Sequence, residues 1–319
     1  MTIFTNTFTR FDAIGVREQL SNVIYNLDPV EVPFLSNAKV GKIKNTTYEW
    51  QTDVLDSAVS TNQQLEGDDI TSVSAITPTV RISNYAEIAR KTFAISETQE
   101  AQDSAGRASE KGYQTAVKGK ALKRDMETAL LANKAAAAGS TTVARDTAGF
   151  CAFVKTNISK ASDGTAPVWT TLPNDVWTNG TQEAFTETRF KAALKLCFDN
   201  GANISTAMAG SFNKQAFSAF SGVVELMANQ GREQATIIGA ADTYISDWGK
   251  ISVVPNRFCN SRNVYLIDWN NVQVNYLRPF QVTELAKTGD AKKYMMLAEY
   301  GLLMGSEKGC GLVTDNTTS

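Results

Sequence analysis

The sequence contains no histidine. Histidine is the commonest general base and the commonest metal ligand near neutral pH, so every Ser-His-Asp or Cys-His catalytic site is excluded. Lysine, aspartate, glutamate or tyrosine could still act in catalysis, but neither a glycine-rich phosphate loop nor a carboxylate motif marks a place for them. We therefore expect no catalytic residues, no bound cofactor and no metal, and we predict that the protein is not an enzyme.

A block of basic residues and a long apolar run are also missing. The net charge is −2 and the isoelectric point is near 5.5, which gives no uniform positive field for a nucleic acid. We therefore expect no sequence-specific DNA binding. No segment approaches about 18 consecutive apolar residues, and the first residues lack the basic and apolar regions of a signal peptide. We accordingly expect no contact with a membrane.

Cysteine is scarce, and Cys151, Cys197, Cys259 and Cys310 lie far apart along the chain. Their spacing fits neither a zinc ribbon nor a redox CxxC motif. Because no export signal is visible, we expect four reduced thiols.

What remains is a chain of 319 residues with 43% hydrophobic and 20% charged residues, enough for one large or two medium domains. Alternating side chains predict one extended run over Val80–Ile95. A Ser-x-x-Gln capping box at Ser96 then predicts a helix that continues to Ala138 and is ended by Gly139, with Ser104 as the alternative start. A helix of this length exceeds one ordinary core, so we expect an elongated subunit.

A second alternating stretch, residues 44–54, predicts a half-covered strand. The polar residues 56–77 separate it from the run that begins at Val80, so the two strands predict a projecting hairpin. An isolated two-stranded hairpin is marginal in water, and an arm of this length therefore needs contacts outside itself. Upstream of the hairpin, Pro29 and Pro33 predict an extended strap.

The second half of the chain alternates between helix and strand patterns. Residues 186–200 have helical apolar spacing and are followed by Gly201, and residues 204–209 predict a short strand. This alternation predicts an α/β layer domain. Short strands follow from Thr243 onward, and the tail, residues 306–319, is small and polar. We expect neighbouring subunits to order that tail.

Several motifs occur in a recognisable order. They are Tyr48-Glu49-Trp50-Gln51-Thr52-Asp53, Leu65-Glu66-Gly67, Asn84-Tyr85, Ser96-Glu97-Thr98-Gln99, Lys123-Arg124-Asp125-Met126-Glu127, Val253-Val254-Pro255-Asn256-Arg257-Phe258 and Leu285-Ala286-Lys287-Thr288-Gly289-Asp290. Together with the order of strap, hairpin, long helix, α/β layer and returning strands, they resemble the major capsid (major head) proteins of tailed phages, which have the Hong Kong 97-type fold. The resemblance covers most of residues 28–308.

The resemblance implies an α+β fold of the HK97-like major capsid type, with an α/β axial domain and a peripheral domain built on a spine helix. The implied parts are residues 1–37 as N-terminal arm, 38–95 as extended β-hairpin loop, 96–139 as the peripheral-domain spine helix, 140–252 as axial domain, 253–305 as strands returning to the peripheral domain and 306–319 as C-terminal tail.

The resemblance also implies a function. Subunits would self-assemble into hexamers and pentamers of an icosahedral or prolate phage head that encloses double-stranded DNA, in the capsid shell of a virion assembled in the host cytoplasm. The implied partners are further copies of the chain, a portal protein, a decoration protein and the packaged DNA. Because no long charged helical segment precedes Asp28, we also expect a separate scaffolding protein.

We expect nine residues to contribute to inter-subunit contacts. They are Tyr48, Trp50, Arg81, Tyr85, Glu87, Lys91, Lys120, Arg124 and Arg232. Two alternatives stay open at this point. An encapsulin-type compartment would use the same fold to store cargo protein and would contain no genome. A histidine-free enzyme would lose turnover, but not assembly, on substitution of one Lys, Asp or Glu.

Overall fold

A computed structural model of the protein describes residues 31–67, 69–70, 73, 75–102, 109–220, 243–287 and 289–318. Its helices are α1 (Pro33–Asn37), α2 (Glu97–Ala101), α3 (Glu110–Leu131), α4 (Phe150–Phe153), α5 (Glu187–Asp199) and α6 (Ser211–Ser218). Its strands are β1 (Lys39–Lys42), β2 (Thr47–Thr52), β3 (Val80–Tyr85), β4 (Glu87–Ser96), β5 (Ile158–Ser159), β6 (Thr206–Ala209), β7 (Thr243–Ser246), β8 (Gly249–Pro255), β9 (Val264–Ile267), β10 (Val272–Leu285), β11 (Ala291–Met304) and β12 (Gly311–Val313).

The strands form three sheets. Their orders are β1-β10-β11-β4, β5-β12-β9-β6-β8-β7, and β2 paired with β3. In the four-stranded sheet, β10 and β11 form a long antiparallel hairpin that runs from Val272 opposite Met304 to Leu285 opposite Lys293. Helix α3 packs along one face of this sheet, and a large core of buried apolar residues lies between them. The long helix and the long hairpin therefore stabilise each other.

The six-stranded sheet carries the predicted α/β layer. Thr186 caps α5 by accepting a hydrogen bond from the Arg189 N–H, and Gly201 ends the helix with a φ of +82°. Phe190 of α5 packs edge-on against Phe217 and Tyr244, with ring centroids 5.4 Å apart in both pairs. Such aromatic packing supplies the core of this layer.

The predicted spine helix is shorter than expected and divided. Ser96 caps only the five-residue α2, where its side chain accepts a hydrogen bond from the Gln99 N–H. Ser109 caps α3 in the same way, through the Gly112 N–H. Residues 103–108 lie outside the part of the chain that the structure describes.

The C-terminal end of the predicted helix is also wrong. Helix α3 ends at Leu131, and the alanines that follow form a loop. The Ala136 N–H donates to the Pro173 carbonyl, and Ala137 forms a bridge with Asp146. These long-range hydrogen bonds outweigh the helix propensity of alanine, which is a weak preference.

The predicted extended run over residues 80–95 is two strands in two different sheets. Strand β3 pairs with β2, whereas β4 pairs with β11. The change occurs at Ala86, which is fully buried and whose N–H donates to the Thr46 carbonyl. Side-chain alternation continues through Ala86, so the sequence pattern gives no sign of the change. The hairpin of the arm is therefore only six residues deep on each strand.

The predicted boundary between the two domains at residue 253 and the prediction for the C-terminal tail also need correction. Strands β8 and β9 pair with β6 in the six-stranded sheet, so only β10 and β11 return to the four-stranded one. The tail contributes β12, which lies between β5 and β9. The tail is thus ordered by its own chain, through buried strand pairing, and not by neighbours alone.

Some expectations fall on residues that the structure leaves out. Most of the predicted N-terminal arm and Arg232 lie outside the described residues. The four cysteines carry free thiols, three of them buried. None of the described helices combines the length and hydropathy needed to cross a bilayer.

Candidate assembly surface

The connection between β2 and β3, residues 53–79, is here called the arm loop. Every described residue of it is exposed to solvent. Leu55 and Ile76 each keep 94% of their surface in water. Further exposed aliphatic residues of the loop are Val54, Val59, Leu65, Ile70 and Val73. Single exposed apolar residues are ordinary, but this many on one segment is typical of an interaction site.

In the part of the arm loop that the structure describes, hydrogen bonds occur at its two ends. The Thr79 hydroxyl donates to the Gln51 side chain, and the Val54 N–H donates to the Asp53 carboxylate. Among the described residues, no backbone group of the loop bonds to the body of the subunit. Fixing such a segment costs conformational entropy that no contact of its own offsets.

Strands β2 and β3, here called the root of the arm, are in contrast bonded to their own subunit. The buried Tyr48 hydroxyl donates to the Leu302 carbonyl at 2.7 Å, and the Trp50 indole N–H donates to the Gly305 carbonyl at 3.2 Å. The two rings stack with centroids 5.9 Å apart. Burial raises the pKa of Tyr48, so its hydroxyl stays a neutral donor. Gly301 makes this approach feasible, since a β-carbon there would lie 2.4 Å from the Tyr48 hydroxyl.

Asn84 completes the root and was not singled out as a site residue from the sequence. Its amide nitrogen donates to the Leu302 carbonyl at 2.8 Å and to the Thr147 hydroxyl at 3.0 Å. Its amide oxygen accepts from the Ala148 N–H at 3.0 Å. The available signal was its position between Ile82 and Ala86 on the inward face of the run, where a polar residue must find buried partners.

Charged groups lie behind the root, where β4 meets the loop after α3. Lys134 contacts both Glu87, at 2.6 Å, and Asp146, at 2.7 Å. Burial lowers the pKa of Lys134, but its hydrogen bonds to Asp146 and Glu87 outweigh that effect and hold the pKa above its ordinary value. The lysine therefore stays charged and links two loops to the sheet.

A second charged group lies within the four-stranded sheet. The Glu299 carboxylate is buried and accepts from the Arg145 guanidinium at 2.5 Å and from the Arg278 guanidinium at 2.7 Å. A buried carboxylate needs such pairing, because an unpaired charge in a protein interior is strongly destabilising.

Glu127 joins α1 to the spine helix α3 and was not predicted as a site residue. Helix α1 begins at Pro33, where the sequence predicted an extended strap, because proline also fits the first position of a helix. The fully buried Glu127 carboxylate accepts hydrogen bonds from the Phe34 and Leu35 N–H groups, each at 2.8 Å, and from the Asn256 amide at 2.6 Å. The two N–H groups belong to the first turn of α1, where helix donors lack partners within the helix. Burial raises the pKa of Glu127, although these hydrogen bonds act in the opposite direction.

The nine predicted contact residues do not converge on one place. Tyr48, Trp50, Tyr85 and Glu87 contact their own subunit at the root, and Arg232 lies outside the described residues. Arg81 forms an exposed ion pair with Glu49 on the arm at 3.4 Å. The other members lie on or against α3: Lys91, which pairs with Asp125; Lys120, which is exposed; and Arg124, which lies over the Phe258 ring. Contact of the exposed members with a neighbour stays a prediction.

No arrangement for catalysis accompanies these contacts in the described part of the chain. No group of three or more His, Cys, Asp or Glu side chains could hold a metal ion there. A surface cleft of about 380 Å³ beside α2 is lined by Glu97, Lys111 and Lys292, among others. Glu97 is already paired with Lys287 at 2.8 Å. The features that stand out are therefore surfaces for contact.

Comparison with known proteins agrees with this description. The sequence model of the SU10 major capsid protein family matches residues 3–317. The major capsid protein of Escherichia phage Phieco32 is 28% identical over 337 aligned positions, which cover 92% of this chain and 93% of that protein.

Solved structures with the same fold include a phage capsid and an encapsulin. The capsid of cyanophage A-1(L) superimposes with a TM-score of 0.69 at 14% identity, over 95% of this chain and 98% of that chain. The SrpI encapsulin of Synechococcus elongatus superimposes with a TM-score of 0.58 at 10% identity, over 96% and 98%. At these identities the likeness shows the fold alone, which is the Hong Kong 97-type fold of phage capsid proteins. The family match decides between the two kinds of shell: the chain belongs to the SU10 major capsid protein family and is a phage major capsid protein, a component of the virion shell.

Proposed function

We propose that the subunits build hexamers and pentamers of an icosahedral or prolate head by laying the arm, residues 38–95, across a neighbouring subunit. The observation that carries this proposal is the arm loop, whose described aliphatic side chains are exposed and whose described residues form no backbone hydrogen bond to their own body. A neighbour that covers the loop would bury those side chains. Each buried side chain of this size contributes about 1.5–3 kcal/mol.

The root explains how a slender arm could transmit force. Tyr48, Trp50 and Asn84 fix β2 and β3 to the body, so a load on the arm loop would reach the sheet and the spine helix α3. Overlapping arms in a closed lattice would add many such contacts without any one strong bond. Obligate interfaces of this kind bury roughly 2,000 Å² or more.

We assign the remaining parts by the same proposal. The six-stranded sheet with α5 and α6 is the axial domain around the five-fold and six-fold axes, and it includes β8, β9 and β12 as well as residues 140–252. The four-stranded sheet with α3 is the peripheral domain. The axial domains would then surround each symmetry axis while arms join subunits around it.

The proposed shell encloses double-stranded DNA without reading its sequence, and it works with a portal protein, a separate scaffolding protein and a decoration protein. Closure of the purified chain, by itself, into shells of one size would contradict the need for a scaffold. Particles that hold cargo protein and no genome would support the encapsulin-type alternative.

Replacement of residues 55–77 by a short glycine-serine turn tests the proposal. Because Thr52 and Val80 are paired neighbours, the turn can close the hairpin while β2 and β3 stay intact. We expect a folded subunit with an unchanged thermal midpoint that forms no closed particles in sedimentation and negative-stain microscopy.

The matched control substitutes Gln63 and Gln64, two exposed polar residues of the same loop, with alanine. This variant should assemble normally. Normal shells from the loop replacement would show that the arm is not the element that joins subunits.

A further inference from the structure

Asparagine is followed directly by glycine at two places in the chain, Asn179-Gly180 and Asn200-Gly201. This dipeptide undergoes a spontaneous reaction in water. A bond forms between the glycine nitrogen and the side-chain carbonyl carbon of the asparagine, the bond from that carbon to the amide nitrogen breaks, and the glycine proton leaves with the ammonia. Water then opens the resulting succinimide to aspartate or isoaspartate. Glycine favours the reaction because its backbone is little restricted.

The fold requires glycine at position 180. A β-carbon there would lie 2.4 Å from Asp163 Oδ1 and 2.6 Å from the Gly164 backbone nitrogen. The neighbouring residues Thr165 and Thr178 exchange two backbone hydrogen bonds of 3.0 Å, which bring the two chain segments this close. A larger residue after the asparagine would slow the reaction, but it would overpack this contact.

The C-terminal tail holds the nitrogen that would react. The Gly180 N–H donates to the Asp315 carboxylate at 2.8 Å, and the Gly180 carbonyl accepts from the Arg262 guanidinium at 2.5 Å. Asp315 is fully buried, and its other oxygen accepts from the Ala161 N–H at 3.3 Å. Because hydrogen bonds hold Gly180 on both sides, its nitrogen is not free to turn toward the asparagine side chain.

The second Asn-Gly step is held more completely. The Asn200 amide nitrogen donates to Asn157 Oδ1 at 2.8 Å, and the Gly201 N–H donates to the Phe198 carbonyl at 2.9 Å. The Asn179 side chain, in contrast, is exposed and forms no hydrogen bond within the described residues. At the first step only the glycine is therefore held, and the tail supplies the group that holds its nitrogen.

We propose that Asn179 is a self-modification site whose reaction is controlled by the docking of the C-terminal tail. While the Asp315 carboxylate holds the Gly180 N–H, the site is protected. When the tail detaches, the peptide is free to rotate and the succinimide forms. Isoaspartate adds a methylene group to the main chain, which would shift Gly180 out of its contact with Gly164 and prevent the tail from docking again. The modification thus makes tail release irreversible.

Local opening of the tail would set the rate of this reaction. Terminal segments open at a smaller cost in free energy than a core does, and reactions of the open state follow its population. Strand β12 has only three residues, and beyond it Asp315 and Asn316 bond the tail to the body. Release of this short segment would free the Gly180 nitrogen without unfolding the six-stranded sheet.

Peptide mass spectrometry of the full chain, incubated at mildly alkaline pH, tests the proposal. We expect conversion of Asn179 to be at least about tenfold slower in the folded subunit than in urea, and Asp315→Ala to accelerate it at least about tenfold in native buffer. Gly301→Ala is the control, because it destabilises the distant root and leaves the tail hydrogen bonds intact. The control should convert at the rate of the parent.

Three outcomes would overturn the proposal. The first is an equal rate in the folded subunit and in urea. The second is equal acceleration by Asp315→Ala and Gly301→Ala, which would show that global unfolding, and not tail release, permits the reaction. The third is a faster reaction in the folded subunit than in urea, which would identify the Asp315 carboxylate as a base that promotes the attack.

A second measurement covers the case in which Asp315→Ala does not fold. The parent chain is held in urea, refolded, and fractionated by chromatography to obtain chains converted at Asn179 alone. Those with isoaspartate should lose hydrogen-exchange protection of the tail amides. The matched control, Asn179→Asp, adds the same charge without the methylene group and should keep that protection, since residue 179 is exposed. Protected tail amides in the isoaspartate chains would also overturn the proposal.

Discussion

The C-terminal tail and the arm loop are both polar segments, yet the tail is largely buried and the described residues of the arm loop are exposed. The tail is small and polar, yet Thr314, Asp315 and Asn316 are fully buried. The arm loop carries many aliphatic residues, yet Leu55 and Ile76 are almost wholly exposed. Composition alone would place both segments at the surface, where the arm loop lies and the tail does not.

The difference lies in whether each segment finds its partners within its own chain. The Asp315 carboxylate accepts from the Gly180 N–H at 2.8 Å and the Ala161 N–H at 3.3 Å, and Asn316 donates to the Arg262 and Val313 carbonyls. Buried polar groups are stable when they are paired in this way. Within the described residues, the arm loop has no comparable partner on its body, as the proposal that another subunit covers it requires.

The largest effect is expected from replacing aliphatic side chains of the arm loop with polar ones. Leu55→Ser with Ile76→Ser should leave the unfolding free energy of the free subunit within about 0.5 kcal/mol of the parent, because neither side chain is buried there. Assembly should lose about 1.5–3 kcal/mol for each side chain that a neighbour buries. The critical concentration for assembly, from sedimentation, measures the loss.

The control for this pair is Gln63→Ser in the same loop, which removes no apolar surface. A large change in the stability of the free subunit would instead mean that the loop packs on its own body.

Asp315→Ala tests the other side of the comparison. It leaves the buried Ala161 N–H and the half-buried Gly180 N–H unpaired and puts alanine at a φ of +57°, so we expect a loss of about 2–4 kcal/mol in unfolding free energy. Urea denaturation of the unassembled subunit measures it. Asp163→Ala, which removes an exposed carboxylate bound to Thr181, should cost far less since water can replace it. Equal losses would contradict the view that buried pairing holds the tail.

Gly301→Ala tests the boundary between the fixed root and the free loop. The added β-carbon would collide with the Tyr48 hydroxyl and ring, and overpacking of this kind costs about 1–3 kcal/mol. Gly119→Ala is the matched control, because its β-carbon would meet only the end of Met296, at 3.6 Å, and alanine favours a helix by up to about 1 kcal/mol. Differential scanning calorimetry should show opposite shifts. A neutral Gly301 variant would mean that the root does not hold the arm.

Glu127 extends the comparison to a buried acid. Within the described residues its carboxylate forms no ion pair and accepts hydrogen bonds from the Phe34 and Leu35 N–H groups and from the Asn256 amide. Since burial raises its pKa, the folded subunit binds the proton more tightly than the unfolded chain does. Its contribution is therefore complete below the ordinary glutamate pKa and is lost as pH rises through the raised value. The loss is about 1.4 kcal/mol for each unit by which the pKa is raised.

Urea titrations over that pH range measure the effect, and Glu127→Gln should remove this part of the pH dependence. An equal slope in both proteins would show that the carboxylate is ionised with its ordinary pKa.

Local sequence patterns predicted the elements whose buried residues recur at a regular spacing. The apolar spacing of α5, with Gly201 behind it, corresponds to a buried face, so this helix was placed to within one residue at each end. The arm loop was also recognisable as a segment unable to pack by itself. These features depend on the residues of one segment, which the sequence displays directly.

The remaining features depend on contacts between distant segments. Ala86 changes from one sheet to another through a bond to Thr46, and the alanines after Leu131 leave the helix through bonds to Pro173 and Asp146. The partners of Tyr48 lie more than two hundred residues away. No periodicity within either segment encodes such a pairing. The sequence therefore could not distinguish contacts of the root with its own subunit from contacts with a neighbour.

Hydrogen exchange of residues 53–79, measured in the free subunit and in the closed particle, tests the central claim most directly. We predict fast exchange throughout the arm loop in the free subunit and strong protection of the same amides in the particle, while the root at β2 and β3 is protected in both. Fast exchange of the loop in the closed particle would contradict the account, because the loop would then be uncovered in the assembled shell.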